Sequence, residues 1–247
     1  VEHGERAMDR LIVALDFPSE HRALNLVRNL KGTANFFKVG LQLFTSVGPE
    51  IVRKIKAEGG KVFLDLKFLD IPNTVSRAAL EAARLGVHML TFHALGGQAM
   101  LASARETLED MSQTEGWPIP KLLGVTVLTS MDQQALGSVG IDRPLPSMVV
   151  HLARVARASG FNGIVCSPQE LRLLRESGIA GMTFVTPGIR ADQAPADDQA
   201  RSMTAAEAIR EGADYLVVGR PITQADEPDK AALHFVEEIQ RARLERL

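Results

Sequence analysis

The sequence has 247 residues, enough for one large domain or two small ones. Its 45% hydrophobic and 23% charged content is that of an ordinary globular chain, and no apolar run approaches the length of a membrane span. A formal net charge of −2 argues against a general binder of nucleic acid or acidic membrane, which carries a clear basic excess, yet leaves room for a local basic pocket.

In chain order, the opening "VEHGERAMDR" begins on Val1 rather than Met, so native residues are expected to be missing or replaced there. It has no apolar signal-peptide core. Eight β-like runs follow: "RLIVALDF" (10–17), "FFKVG" (36–40), "KVFLDLKF" (61–68), "HMLTFHA" (88–94), "LLGVTVL" (122–128), "GIVCS" (163–167), "TFVTPGI" (183–189) and "YLVVGR" (215–220). Between them lie segments such as "TVSRAALEAARLG" and "TAAEAIREGA", with apolar residues three and four apart, the helical spacing. Ser19 and Thr204 read as helix N-caps, and Gly86 and Gly212 as helix stops. The stretches 109–120 ("EDMSQTEGWPIP") and 190–203 ("RADQAPADDQARSM") read as long, functional loops. Cys166, the one cysteine, can form no intrachain disulfide; it reads as a small buried hydrophobe in a reducing, cytoplasmic setting.

Strands alternating with helices imply a mostly parallel sheet. Eight such units in about 250 residues is the size of a (β/α)₈ barrel. The expectation is therefore a single α/β domain over 1–247, with an open doubly wound sheet as the structural alternative. Successive strand side chains face opposite sides. Val62, Leu64 and Leu66 then share one face and Phe63, Asp65 and Lys67 the other. Leu11, Val13 and Leu15 likewise oppose Ile12, Ala14 and Asp16. The aliphatic set would face the helices; the other would face the barrel axis and turn polar only near the strand's C-terminal end. Lys38 and His93 occupy matching terminal positions in the second and fourth runs. Active sites of this fold form at that end, from several strands. Asp16, Lys38, Asp65, Lys67 and His93 could thus line one mouth.

The last two runs add an anion site. "TPGIR" ends the seventh with Arg190, and "VVGRPIT" ends the eighth with Gly219 and Arg220. These are the loops that commonly build a barrel's phosphate site, where glycine admits backbone N–H groups and arginine offers a planar donor fork. No HxH, HExxH or CxxC pattern supports a transition-metal site, while a carboxylate-bound Mg²⁺ stays open at this level.

"LDLKFLDIPNTV" resembles the signature of the orotidine 5′-monophosphate decarboxylase family, bacterial type: Asp-x-Lys-x-x-Asp followed by Ile-Pro-Asn-Thr. "IVALDFPS", "FFKVGLQLF", "TFHALGG", "GVTVLTSM", "VTPGIR" and "DYLVVGRPIT" fall in that family's order along nearly the whole chain. The resemblance implies a cofactor-free barrel that converts orotidine 5′-monophosphate to uridine 5′-monophosphate and CO₂. It implies Asp16 on the ribose, and Lys38, Asp65, Lys67 and Asp70 as an alternating charged tetrad with Lys67 as proton donor. Asp70 and Thr74 would reach across a homodimer interface into the partner's site. Thr129 and Ser130 would lie against the pyrimidine, and Arg190, Gln199, Gly219 and Arg220 would grip the 5′-phosphate. No metal, nucleic acid or membrane is implied. The rivals are a Mg²⁺-dependent sugar-phosphate decarboxylase or synthase that shares the Asp-x-Lys-x-x-Asp core, and a non-catalytic nucleotide-sensing barrel.

Overall fold

A computed structural model describes residues 7–179, 181–190 and 203–245. Eight parallel strands follow one another around a closed barrel: β1 (Leu11–Ala14), β2 (Phe36–Gly40), β3 (Lys61–Phe68), β4 (Met89–His93), β5 (Lys121–Val125), β6 (Gly163–Val165), β7 (Thr183–Thr186) and β8 (Tyr215–Val218). Each pairs with its neighbours in sequence, and β1 closes the ring on β8 with Leu11 opposite Leu216 and Val13 opposite Val218.

The alternation in the sequence sorts the side chains into two buried groups. Ile12, Ala14, Phe36, Phe63, Met89, Leu123, Val185, Tyr215 and Val217 fill the barrel, and Val165 packs against them, so every strand contributes. On the opposite strand faces, Val13, Val39, Leu64, Leu90, Leu122, Ile164, Phe184 and Leu216 join the apolar stripes of the surrounding helices. The helix Pro72–Arg84 shows how: Pro72 starts it where no backbone N–H is needed, and Val75, Ala79, Leu80 and Ala83 recur at helical spacing on its buried face. Thr204 caps its helix reciprocally with Glu207, Ser19 caps Glu20–Asn29, and Gly212 ends Ala205–Glu211 in the left-handed conformation.

Several boundaries differ from the sequence expectation: β5, β6 and β8 end two or three residues early, at Val125, Val165 and Val218, and three other differences have a clear local reason. β1 stops at Ala14, so Asp16 stands beyond the strand, where the Leu15 N–H still bonds to the Lys38 carbonyl. β7 stops at Thr186: Pro187 has no N–H to donate and Gly188 adopts φ 80°, so the chain leaves the barrel. Residues 189–190 pair instead with 203–204 in a separate two-stranded ladder. The first half of 109–120 is not a loop but the end of the helix Gly97–Glu115, closed by Gly116 in the left-handed region. The apolar repeat Leu101, Ala104, Leu108 carries the helix on to Met111, which packs against the core. Of 190–203, residues 191–202 lie outside the described residues.

Candidate active site

The C-terminal ends of the strands surround a cavity of about 1010 Å³, at the upper end of what small-molecule sites occupy. Its floor is the top of the barrel filling, with Ala14, Phe63, Val165 and Val217 among its lining. Above them stand the charges. Lys38 leaves β2 with its Nζ 3.0 Å from Asp16 Oδ1 and 3.8 Å from Asp65 Oδ2. Lys67 Nζ donates to both Asp65 oxygens at 2.9 Å. Within one chain the signs therefore alternate along Asp16, Lys38, Asp65 and Lys67.

Asp65 is the centre of this run and is buried. Burial pushes its carboxyl upward, but the Lys38 and Lys67 ammonium groups and hydrogen bonds from Lys67 and Thr91 together outweigh that and hold it below the usual carboxylate range. An anion with two ammonium groups is thereby maintained in a place where an unpaired charge would neutralise. Two carboxylates against two ammonium groups leave the run neutral, with the Lys67 ammonium at its end placed to meet a negative charge formed during reaction.

Arg190 and Arg220 reach the same cavity from different directions. Arg190 belongs to the short ladder that follows β7, half-buried, while Gly219 and the exposed Arg220 follow β8. A Cβ placed on Gly219 would lie 3.9 Å from Asp16 Oδ2, so the β8 loop and the β1 loop meet beside the charge run. Thr129 and Ser130 line the wall after β5, with Val125, Val127 and Leu128 below them. The cavity thus has a cationic end, an apolar wall carrying two hydroxyls, and a charge run centred on buried Asp65.

Asp16, Lys38, Asp65, Lys67, Thr129, Ser130, Arg190, Gly219 and Arg220 are all brought together. Asp70 and Thr74 are not: both are exposed on the rim beyond β3, outside this chain's cavity, and Asp70 Oδ1 accepts the Ile71 N–H at 2.6 Å. Gln199 lies outside the described residues. His93, expected at the mouth, is absent from the cavity lining. Burial, aided by the Lys67 charge and opposed by Asp65, lowers its pKa, so a neutral wall residue is what its surroundings favour. Cys166 is a buried thiol on the cavity wall, pushed up well above its ordinary value by burial and by Glu170. No group of three His, Cys, Asp or Glu among the described residues is placed to hold a metal ion, and no described helix is long and apolar enough to cross a membrane.

Two residues escape the sequence reading. Arg22 lines the mouth with its guanidinium 5.0 Å from the centre of the Phe17 ring. Its only sequence signal is its place in the first turn of the helix after β1. Thr91 is fully buried on β4, and its hydroxyl donates to Asp65 Oδ1 at 2.9 Å. Alternation does place it inward, two residues before His93, but a lone threonine among apolar residues reads as packing.

Comparison with known proteins bears on the family and the fold. The model of the orotidine 5′-phosphate decarboxylase / HUMPS family matches residues 9–235. The chain is 50% identical over 236 residues to the orotidine 5′-phosphate decarboxylase of Syntrophotalea carbinolica, covering 96% of this chain and 97% of that protein. Its fold matches the crystal structure of orotidine 5′-phosphate decarboxylase from Lactobacillus acidophilus with a TM-score of 0.81 at 37% identity, over 93% of this chain and 98% of that one. It also matches the Methanocaldococcus jannaschii enzyme, complexed with the inhibitor BMP, with a TM-score of 0.74 at 25% identity, over 93% of this chain and 98% of that one. With a Lys–Asp–Lys run centred on a buried aspartate at the mouth of a (β/α)₈ barrel and a family match across most of its length, the chain belongs to the orotidine 5′-phosphate decarboxylase / HUMPS family.

Proposed function

We infer that this chain decarboxylates orotidine 5′-monophosphate to uridine 5′-monophosphate and CO₂, the closing step of de novo pyrimidine synthesis. The observation that carries the reading is the run around buried Asp65, in which half-buried Lys67 holds both its oxygens at 2.9 Å and Lys38 stands 3.8 Å away. Loss of CO₂ from C6 leaves an electron pair on an sp² carbon. A fixed ammonium in a site of low polarity stabilises that charge far better than water can, because it needs no reorganisation at the moment of reaction. Lys67 then passes a proton to C6 and regains one from solvent. Asp65, beside the substrate carboxylate, repels it and favours its departure, while Lys38 fixes Asp65 and reaches Asp16.

The remaining roles follow the cavity's layout. Asp16 takes the ribose hydroxyls, the Thr129 and Ser130 hydroxyls face the pyrimidine, and Arg190, Gly219 and Arg220 hold the 5′-phosphate. Gln199 is assigned to the phosphate on family resemblance alone. Phosphate contacts remote from C6 supply binding energy that can position the base. This reading uses no metal or organic cofactor and places the enzyme in the cytoplasm.

We further propose a homodimer in which Asp70 and Thr74 complete the partner's site. Both are exposed beside the exposed apolar side chains Leu69 and Ile71, and Leu95 is exposed on the next loop of the same rim. A rim that shows apolar side chains around a carboxylate favours burial by a second subunit.

The direct test is the fall in ultraviolet absorbance of orotidine monophosphate on adding enzyme, with EDTA present throughout. Sustained decay in EDTA is expected. Decay that EDTA abolishes and Mg²⁺ restores would favour the sugar-phosphate type of chemistry, and tight binding without decay would favour a sensor.

A further inference from the structure

The alternation that sets Asp65 and Lys67 on one face of β3 is not a regular one. Leu64 pairs with Leu90 and Phe68 with Phe92, so the ladder to β4 shifts between those points and β3 carries extra residues there. Lys67 sits inside the shift with φ 50°, the one non-glycine residue in the left-handed region among those described. That conformation is disfavoured for any residue with a Cβ, and it persists only where the surroundings over-determine it. A bulge of this kind re-aims a side chain.

What stands opposite the bulge is Thr91, fully buried between Leu90 and Phe92 on β4. Its Oγ1 accepts the Lys67 N–H at 2.9 Å and donates its proton to Asp65 Oδ1 at 2.9 Å. A hydroxyl has one proton and two lone pairs, so it can serve both partners at once. Valine, of the same shape, could serve neither. We propose that Thr91 is a positioning residue: its hydroxyl ties the left-handed Lys67 backbone to the Asp65 carboxylate. The Lys67 ammonium is thereby aimed at the point where both Asp65 oxygens are in reach. The kinetic consequence rests on the decarboxylase reading; the structural one does not.

Thr91→Val and Thr91→Ser separate hydroxyl from shape, and Thr91→Ala against Thr91→Ser makes the same comparison if the valine variant does not fold. On the protein without ligand, hydrogen exchange at the Lys67 amide should quicken about fivefold without the hydroxyl, the ratio one net hydrogen bond represents, and stay near wild type in Thr91→Ser. With orotidine monophosphate, Thr91→Val should lower kcat at least about tenfold with KM within about threefold, because the phosphate contacts are remote from the bulge. Serine should keep most of kcat. Unchanged exchange and kcat in Thr91→Val would overturn the proposal, as would a serine variant as impaired as the valine one, since the methyl group would then be what matters. A wild-type protein without turnover would defeat the decarboxylase reading instead, and the exchange comparison would still decide Thr91.

Discussion

Asp65 is held by two ammonium groups and a hydroxyl, so its charge is the tie between Lys38, Lys67 and Thr91. Replacing it by asparagine leaves Lys38 and Lys67 facing each other across a neutral amide. Removing one member of a buried charge cluster costs about 3 kcal/mol, so Asp65→Asn should unfold several degrees below wild type. The pH dependence of that gap has a definite sign. The folded-state pKa of Asp65 is depressed, so its stabilisation is fully present above the unfolded pKa of about 4 and is lost as pH falls through the folded value. Melting curves should therefore show a constant gap between about pH 7 and pH 5, narrowing only below about pH 4. A gap that closes between pH 7 and pH 5 would mean that Asp65 is not held in its charged form. Asp65, Lys67 and Lys38 were legible as site residues because charge at an inward, C-terminal strand position has few structural uses. Thr91 was not, because a hydroxyl inside a strand fits an ordinary sheet as well as a site. Asp16 was legible by type and displaced in detail, since it stands past the end of β1.

At the level of elements, β6 is only three residues long, and its place in the ring depends on close approach. A Cβ on Gly163 would come 2.3 Å from the Thr183 carbonyl oxygen and 2.9 Å from Thr183 Cβ, so β7 would have to move. Gly163→Ala should cost about 1–3 kcal/mol by overpacking, read as a fall of several degrees in Tm. An unchanged Tm would show that the β6–β7 edge is looser than its geometry. All eight strands could be placed from sequence because each is a short run of apolar or β-branched residues at inward–outward alternation between helical spacings. Their ends were harder. Pro187 and Gly188 redirect β7 through backbone chemistry that a hydrophobic pattern does not register, and the helix Gly97–Glu115 runs through polar residues that resemble a loop. The shift in β3 is the deepest such case: the pattern assigns the correct faces while the backbone reaches them through a left-handed Lys67.

For the whole molecule, the proposed dimer and the reaction are joined by one geometric fact: Asp70 and Thr74 stand outside the cavity that holds Lys67. If they complete a neighbour's site, Asp70→Ala and Lys67→Ala proteins, each poorly active alone, should recover turnover when mixed and allowed to exchange subunits. A hybrid dimer then carries one site with both residues intact, so recovery should reach about a quarter of wild type for equal mixing with random pairing. Mixed dimers that form but stay inactive would rule out a shared site. The central claim is that a fixed Lys67 ammonium stabilises the charge left by departing CO₂ and protonates it. Its most direct measurement is turnover of orotidine monophosphate by Lys67→Ala beside wild type, with nucleotide binding measured on the same samples. The account predicts that kcat falls at least about a thousandfold while uridine monophosphate still binds through the phosphate loops. Near-normal turnover in that variant, with binding intact, would contradict it.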